Sequence, residues 1–156
     1  MATRKPSGRA RKPKIGFISY SHKDARRCDE LREHLSQLAR EQIIKVWHDG
    51  LIDQRKPWDK DIKDNLKTAH IVVLLVSARF LGSYYCCEIE VKEALERARK
   101  GKTIVLPVLI GRCDYETSDF ARLNVLHHNG GPISGRRDRR DDGWTAVAKK
   151  VRALLA

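Results

Sequence analysis

The stretch HIVVLLVSARFLGSYYCCEIEVKEALERARK, residues 70–100, decides the predicted fold. It opens with six consecutive apolar residues, Ile71 to Val76. A run without polar alternation is typical of a strand covered on both faces in a parallel sheet. A loop is predicted next, and then a helix from about Glu88 to Lys100. Because open α/β sheets bind ligands beyond the carboxyl ends of their strands, Glu88 and Glu90 in the first helical turn lie where chemistry is expected.

Strands and helices alternate along the rest of the chain as well. Apolar runs predict further strands at Ile15–Tyr20, Ile43–Trp47, Thr103–Ile110 and, briefly, Pro132–Ile133. Helices are predicted over residues 25–39, 58–69, 144–155 and, as a short one, 119–126, with a charged loop over 136–143. This alternation is typical of a five-stranded parallel sheet with right-handed crossovers in a single doubly wound α/β domain. Pro107 cannot donate to a ladder, so its strand is expected to bulge or to lie near an edge.

The composition of the chain favours one folded domain with a highly charged surface. It has 156 residues and a formal charge of +12. Residues 1–13 contain five basic residues and no acid, and they are predicted to form a disordered basic arm before a domain over 14–156. Nucleic-acid binding is not expected, because no aromatic residues are interleaved with the basic ones. No apolar run approaches the roughly 20 residues of a transmembrane helix, so no membrane association is predicted.

Several kinds of site are disfavoured by the sequence. The four cysteines, Cys28, Cys86, Cys87 and Cys113, show no C-x-x-C spacing, so we interpret them as reduced thiols of a cytoplasmic protein and predict no metal site. The glycine-rich phosphate loops and the G-x-S-x-G elbow are also missing from the sequence. A receiver domain is disfavoured, because Ser77 follows the third strand where such a domain needs an aspartate.

Four segments resemble, in their order and spacing, the Toll/interleukin-1 receptor (TIR) domain family, and especially its bacterial members. They are FISYSHKD at residues 17–24, VWHD at 46–49, VLLVSARFLGSYYC at 73–86 and IVLPV at 104–108. The resemblance covers residues 14–155. It implies a flavodoxin-like sheet with strand order 2-1-3-4-5.

The resemblance implies one of two functions. Many TIR domains cleave NAD⁺ at the nicotinamide–ribose bond, giving ADP-ribose or a cyclic isomer, and the bacterial ones frequently act in anti-phage defence. Others are adaptors that signal through TIR–TIR contacts. We favour the first function, with NAD⁺ as substrate and no resident cofactor. The resemblance also implies activation by assembly into oligomers or filaments through the loop at residues 48–57, called the BB loop, with a separate sensor protein or domain as the trigger.

Enzymatic TIR domains carry a glutamate early in the helix after the third strand, and two residues of this chain match it. Aligning Cys87 with the family cysteine selects Glu90, whereas aligning Tyr84 with the family aromatic selects Glu88. We favour Glu90. A fixed carboxylate would stabilise the oxocarbenium-like ribose that forms as nicotinamide leaves. Without the family match, both residues would be carboxylates favoured by a helix N-terminus.

The remaining candidates follow from their positions in the TIR pattern. The predicted substrate-binding residues are Phe17, Tyr20, Ser21, His22, Asp49, Asp53, Trp58, Tyr84 and Tyr85. Tyr84 or Tyr85 would stack on a ring of NAD⁺, since aromatic faces attract a cationic ring. For Phe17 and Trp58, a place in the core is the alternative, and Asp49 is also suited to capping a turn.

Overall fold

The computed structural model describes residues 12–48 and 64–156. Most of the predicted basic arm lies outside the described residues, and so does most of the BB loop. The candidates Asp49, Asp53 and Trp58 and the first half of the helix predicted over 58–69 lie outside them too.

Four parallel strands form the sheet in the described residues. They are β1 (Lys14–Ser19), β2 (Ile44–His48), β3 (Ile71–Val76) and β4 (Ile104–Leu109), in the order β2-β1-β3-β4. The register places Phe17 beside Trp47 on one side and Val72 on the other. All six residues of β3 are buried, as their unbroken apolar run predicts. The parallel α/β architecture expected from the sequence is therefore confirmed.

Within residues 12–48 and 64–156, five helices and one π-helical segment surround this sheet. They are α1 (Ala25–Arg40), α2 (described over 64–68), α3 (Ala78–Leu81), the π-helical segment Tyr85–Val91, which runs directly into α4 (Lys92–Arg99), and α5 (Arg137–Leu154). A short 3₁₀ turn, His22–Asp24, precedes α1. Among the described helices, none combines the length and the apolarity that crossing a lipid bilayer requires.

The predicted fifth strand does not form in the described residues. Ile133 makes one backbone hydrogen bond to the outer edge of β4, from its N–H to the Leu109 carbonyl at 2.8 Å. Leu126 occupies the neighbouring part of that edge through an isolated bridge to Val108. Two segments thus share the edge, and Pro132, which has no N–H, cannot extend the pairing of Ile133. The prediction of five strands in the order 2-1-3-4-5 was wrong, and the described order is 2-1-3-4.

The segment between β4 and α5 is irregular. The short helix predicted over 119–126 is a series of turns, in which the N–H of Leu123 donates to the Phe120 carbonyl at 3.0 Å. Pro107 lies within β4 in register with Leu74, and β4 is the edge strand of the described sheet. Proline is tolerated in an edge strand because the N–H that it lacks would point away from the sheet, so no carbonyl of a neighbouring strand loses its donor.

Two hydrophobic clusters lie on the two faces of the sheet, because successive strand residues point to opposite faces. Ile18 and Val73 pack in the cluster that α1 and α5 cover. Phe17 and Val72 pack in the cluster that α2, α3 and α4 cover. Residue parity along β1 therefore decides which helix layer each side chain meets.

Helix α5 begins seven residues earlier than predicted, at Arg137, so the expected charged loop over 136–143 was wrong. Ion pairs with α1 hold this polar first part. Arg140 makes two bonds to the Glu30 carboxylate, at 2.9 and 3.0 Å, and Arg137 pairs with Glu33 at 2.9 Å. Trp144 is fully buried one turn further on, and its indole N–H donates to Glu30 at 3.0 Å. The first part of α5 is therefore stabilised by ion pairs with α1 and not by an apolar stripe.

The Glu30 carboxylate predicts a loss of stability in acid. Burial alone would raise its pKa, but hydrogen bonds from Arg140 and Trp144 outweigh burial and hold the pKa below its usual value of 4.5. A carboxyl with a lowered folded-state pKa stabilises the protein above its unfolded pKa, and this contribution is lost as the pH falls through the folded pKa. In urea unfolding, we expect the free-energy difference between wild type and Glu30→Gln to be largest near neutral pH and to shrink below about pH 4.5.

The control for this experiment is Glu116→Gln, at an exposed position away from the α1–α5 interface. Its difference from wild type should stay small at every pH. An equal Glu30→Gln penalty at pH 7 and at pH 3 would contradict the assignment.

Candidate functional site

The carboxyl ends of β1 and β3 define the place where a ligand site is expected. From β1 the chain moves to β2 on one side, and from β2 it crosses to β3 on the other side of β1. The strand order therefore reverses between β1 and β3, and crevices at such a reversal are the usual ligand sites of open α/β sheets. The loop after β1 and the helical segments after β3 line this crevice.

The segment after β3 turns helical earlier than the sequence predicts. The Ser77 hydroxyl accepts a hydrogen bond from the Phe80 N–H at 3.1 Å and caps α3. After Gly82 the chain enters the π-helical segment Tyr85–Val91, where a loop was expected up to residue 87. A π segment fits one extra residue into a helical turn, and such segments are frequent at functional sites. Both candidate glutamates lie in it.

Glu90 points inward, to the end of β1. Its side chain has no exposed surface, and its Oε1 accepts a hydrogen bond from the Ser19 hydroxyl at 2.9 Å. Ser19 is the last residue of β1 and is also fully buried. Ser19 shares a face of β1 with Phe17, the face covered by α2, α3 and α4. A carboxylate is thereby fixed at the carboxyl edge of the sheet, beside the strand-order reversal.

Glu88 points outward. Its carboxylate is 45% exposed and pairs with Lys92 one turn later at 2.6 Å. It lines a cavity of about 250 Å³ together with Cys87, Asp114 and Asp119. Of the two candidate glutamates, Glu90 is the one for which the described residues show a hydrogen bond with β1.

The aromatic and imidazole candidates after β1 and β2 lie near each other. The ring of Tyr20 lies 6.2 Å from that of His22 and 6.3 Å from that of His48, the last residue of β2. Tyr20 and His48 are nearly buried, whereas His22 is exposed. Burial, aided by the positive charge of Arg32, lowers the pKa of His48 and favours the neutral imidazole. Ser21 caps the 3₁₀ turn by accepting from the Lys23 N–H at 3.4 Å.

Two further candidates occupy opposite environments. Phe17 is fully buried in the core with Leu66 and Val72, so it supports the sheet beneath Ser19 and offers no surface to a ligand in this arrangement. Tyr84 is 71% exposed. The side chain of Tyr85 lies outside the described part of the chain, as do Asp49, Asp53 and Trp58.

Sequence reasoning missed a polar cluster that ties the two loops together. One oxygen of Asp24 accepts from the Ser77 hydroxyl at 2.6 Å, and the other pairs with Arg79 at 3.2 Å. Arg79 also donates to the Lys23 carbonyl at 2.9 Å. Asp24 directly precedes α1, but its side chain makes no capping bond to that helix. The positions of these residues in the sequence could have revealed the cluster. Ser77 directly follows β3, and Asp24 ends the turn after β1.

The thiols near the crevice are poorly suited to act as nucleophiles. Burial, with the negative charge of Glu88 added, raises the pKa of Cys87 above its usual value. Burial and nearby acids raise the pKa of Cys113 in the same direction. Both thiols therefore stay protonated at neutral pH, and the thiolate is the reactive form. The described residues also contain no group of three or more potential ligands placed to hold a metal ion.

The fold and the site define a doubly wound α/β module with a buried acid where the strand order reverses. A family model described as "TIR domain" matches residues 17–142, which is most of the chain. The chain therefore belongs to the TIR domain family, and the resemblance seen in the sequence is confirmed at that level.

One relative and two solved structures are similar to this chain. The uncharacterized protein y4lF of Sinorhizobium fredii (strain NBRC 101917 / NGR234) is 40% identical over 136 residues, which make up 87% of this chain and 42% of that protein. The chain thus spans less than half of that relative's length. The TIR domain of the Toll-related receptor TRR-2 from Hydra magnipapillata superposes with a TM-score of 0.62 at 16% identity, over 88% of this chain and 97% of the other.

The second structure contains the TIR domains of the activated Roq1 resistosome, which directly recognizes the pathogen effector XopQ. It superposes with a TM-score of 0.52 at 21% identity, over 87% of this chain and 84% of the other. At these identities both structural likenesses show the shared fold and nothing further.

Proposed function

We propose that this TIR domain is an NAD⁺ glycohydrolase that cleaves the nicotinamide–ribose bond, with Glu90 as its catalytic carboxylate. The observation that supports this most is the placement of Glu90: it lies at the carboxyl edge of the sheet, bonded to Ser19, beside the reversal between β1 and β3. We also propose that the domain belongs to the bacterial NAD⁺-cleaving group and acts in the cytoplasm as an anti-phage or cell-suicide effector.

The proposed reaction needs one fixed negative charge. Nicotinamide in NAD⁺ is cationic, so it departs as a neutral molecule without a proton from the enzyme. The electron pair of the broken C–N bond stays with nicotinamide, and positive charge develops on the ribose. The Glu90 carboxylate stabilises this charge and orients the sugar hydroxyls. Water then adds to give ADP-ribose and releases a proton, or the adenine ring adds to give a cyclic isomer.

Access to Glu90 is the step that assembly would control. Because this carboxylate has no exposed surface, a ribose reaches it only after the surrounding loops move. We propose that TIR–TIR contacts through the BB loop, residues 48–57, cause this opening in a homo-oligomer. A separate sensor protein or domain would promote the assembly. The same site, half built in a monomer, would bind the transition state poorly.

Nicotinamide release at increasing protein concentration tests this proposal. We expect the rate per molecule to rise steeply with concentration, because assembly completes the site, and to reach a plateau once the protein is oligomeric. Sedimentation measured over the same concentrations should show the oligomer appearing with the activity. A rate per molecule that stays constant across the transition would contradict activation by assembly.

The complete burial of Glu90 also favours a second candidate function, that of a TIR adaptor. In that case the Ser19–Glu90 hydrogen bond only joins β1 to the π-helical segment. The domain would act by binding other TIR domains through the BB loop. This alternative predicts no nicotinamide release at any concentration, and loss of partner binding when residues 48–57 are changed.

A further inference from the structure

A cavity of about 340 Å³ opens where the loop after β1 meets the start of the segment after β3. Residues 22–27 line one side and Arg79 lines the other. The cavity therefore lies at the same strand-order reversal as the Ser19–Glu90 pair. Its volume falls within the range of small-molecule sites.

The charges around this cavity are strongly unbalanced. Arg79 is paired with Asp24, which also lines the cavity, and Arg27 is paired with Glu30 at 3.0 Å. Lys23 and Arg26 are exposed, and neither has an ion-pair partner among the described residues. Two positive charges are thus left without an ion-pair partner in the described residues, with the His22 ring beside them.

The Asp24 carboxylate fixes part of this lining. One oxygen of Asp24 accepts a hydrogen bond from a guanidinium nitrogen of Arg79 at 3.2 Å. The other oxygen of Asp24 accepts a hydrogen bond from the Ser77 hydroxyl at 2.6 Å. The remaining N–H groups of a guanidinium keep their donor capacity, and a planar, positioned guanidinium suits phosphate oxygens. Arg79 can therefore add oriented donors to the charges of Lys23 and Arg26.

We propose that this cavity binds the diphosphate of NAD⁺, an inference that rests on the proposed function of the Glu90 site. The diphosphate carries two negative charges, which match the two uncompensated positive charges. Lys23 directly follows the Tyr20–His22 loop, and that loop follows Ser19, the partner of Glu90. A substrate whose ribose meets Glu90 would thus extend its diphosphate along this loop toward Lys23, Arg26 and Arg79.

The second described cavity makes a useful contrast. It is lined by Glu88, Asp114 and Asp119, so its field repels a diphosphate. Of these two cavities, the one formed by residues 22–27 and Arg79 combines a position at the strand-order reversal with a cationic lining.

The test is the double charge reversal Lys23→Glu/Arg26→Glu. We expect the KM for NAD⁺ to rise by about ten-fold or more, because two attractive contacts to the diphosphate become repulsive, while kcat at saturating substrate changes by less than about two-fold. The matched control is Lys149→Glu/Lys150→Glu, two exposed lysines near the far end of α5. This control makes the same charge change and should leave KM within about two-fold of wild type.

Binding in the Glu90→Gln background provides a readout without turnover. Inorganic pyrophosphate and ADP-ribose should both bind by calorimetry, and both should lose about ten-fold or more in affinity on the Lys23/Arg26 reversal. Adenosine, which lacks phosphate, should be unaffected by the reversal. Equal KM and equal pyrophosphate affinity in reversal and control variants would overturn the site.

Failure of this inference and failure of the proposed function give different results. Turnover that depends on Glu90 with a KM unaffected by the reversal removes the diphosphate site and keeps the enzyme. Pyrophosphate binding that the reversal abolishes, in a protein without NAD⁺ turnover, removes the NAD⁺ assignment and leaves an anion site. If the reversal shifts only the protein concentration needed for activity, and KM stays unchanged in the oligomer, the residues belong to an assembly surface and the inference is wrong.

Discussion

The Glu90→Gln variant is expected to lose NAD⁺ cleavage by roughly 10²–10³-fold in kcat, the range seen when one preorganised electrostatic group is removed from an active site. Glutamine keeps the size of the side chain and an oxygen that accepts from the Ser19 hydroxyl, now 2.9 Å from Glu90. The fold should therefore persist while the charge that stabilises the ribose cation disappears. KM should change little, because the charge acts on the transition state.

Glu88→Gln is the matched control, two residues away in the same π-helical segment. It removes an exposed ion pair with Lys92, and such pairs contribute about 0–1 kcal/mol, so stability and activity should stay close to wild type. The measurement is nicotinamide release from both variants at a concentration where wild type is fully active. It shows which of the two glutamates is catalytic. Loss of activity in Glu88→Gln alone would move the catalytic role to Glu88, and two active variants would exclude both residues.

The sequence could predict those parts of the fold that depend on apolar patterning. The run from Ile71 to Val76 gave β3 with its observed ends, and the stripe Cys28, Leu31, Leu35 and Leu38 gave α1 to within one residue. Both elements are defined by the side chains that they bury, so their pattern is visible in the chain itself. The TIR family assignment depended on these strands and on the motifs that follow them. The match of the family model to residues 17–142 confirms it.

Other parts depend on partners distant in sequence, which a local pattern does not contain. The first two turns of α5 carry no apolar residue before Gly143, and contacts with Glu30 and Glu33 hold them. The short run at Pro132–Ile133 looked like a strand, but the edge of β4 was already shared with Leu126. In both places tertiary contacts overrode the local signal.

Glu88 and Glu90 both lie in the π-helical segment, and this is why the sequence pattern fits either of them. Helical periodicity of 3.6 residues cannot show where a π turn places one extra residue. The inward direction of Glu90 could have been inferred from Ser19, its hydrogen-bond partner. Ser19 and Phe17 are two residues apart in β1, so their side chains point to the same face of the sheet. Asp49, Asp53, Trp58 and the side chain of Tyr85 lie outside the described residues, so their proposed roles remain predictions.

Replacing Trp144 with alanine is expected to lower the free energy of unfolding by about 3–5 kcal/mol, a large part of the 5–15 kcal/mol typical of a domain. Trp144 is fully buried among side chains of α1 and the sheet, so the change leaves a cavity. It also removes the indole N–H that donates to Glu30 at 3.0 Å, so that carboxylate keeps only its arginine partners. Urea unfolding followed by far-ultraviolet circular dichroism measures the loss.

Two variants separate these contributions. Trp144→Phe keeps a buried aromatic ring but removes the donor and part of the indole volume, so it should cost about 1–3 kcal/mol. Lys149→Ala, at an exposed position of α5, should stay within about 0.5 kcal/mol of wild type. Because Glu30 binds Trp144 and Arg140 together, Trp144→Phe should cost less in a Glu30→Gln background than in wild type. Strictly additive losses would show that the indole contributes by packing alone, and that α5 is held to α1 without help from this hydrogen bond.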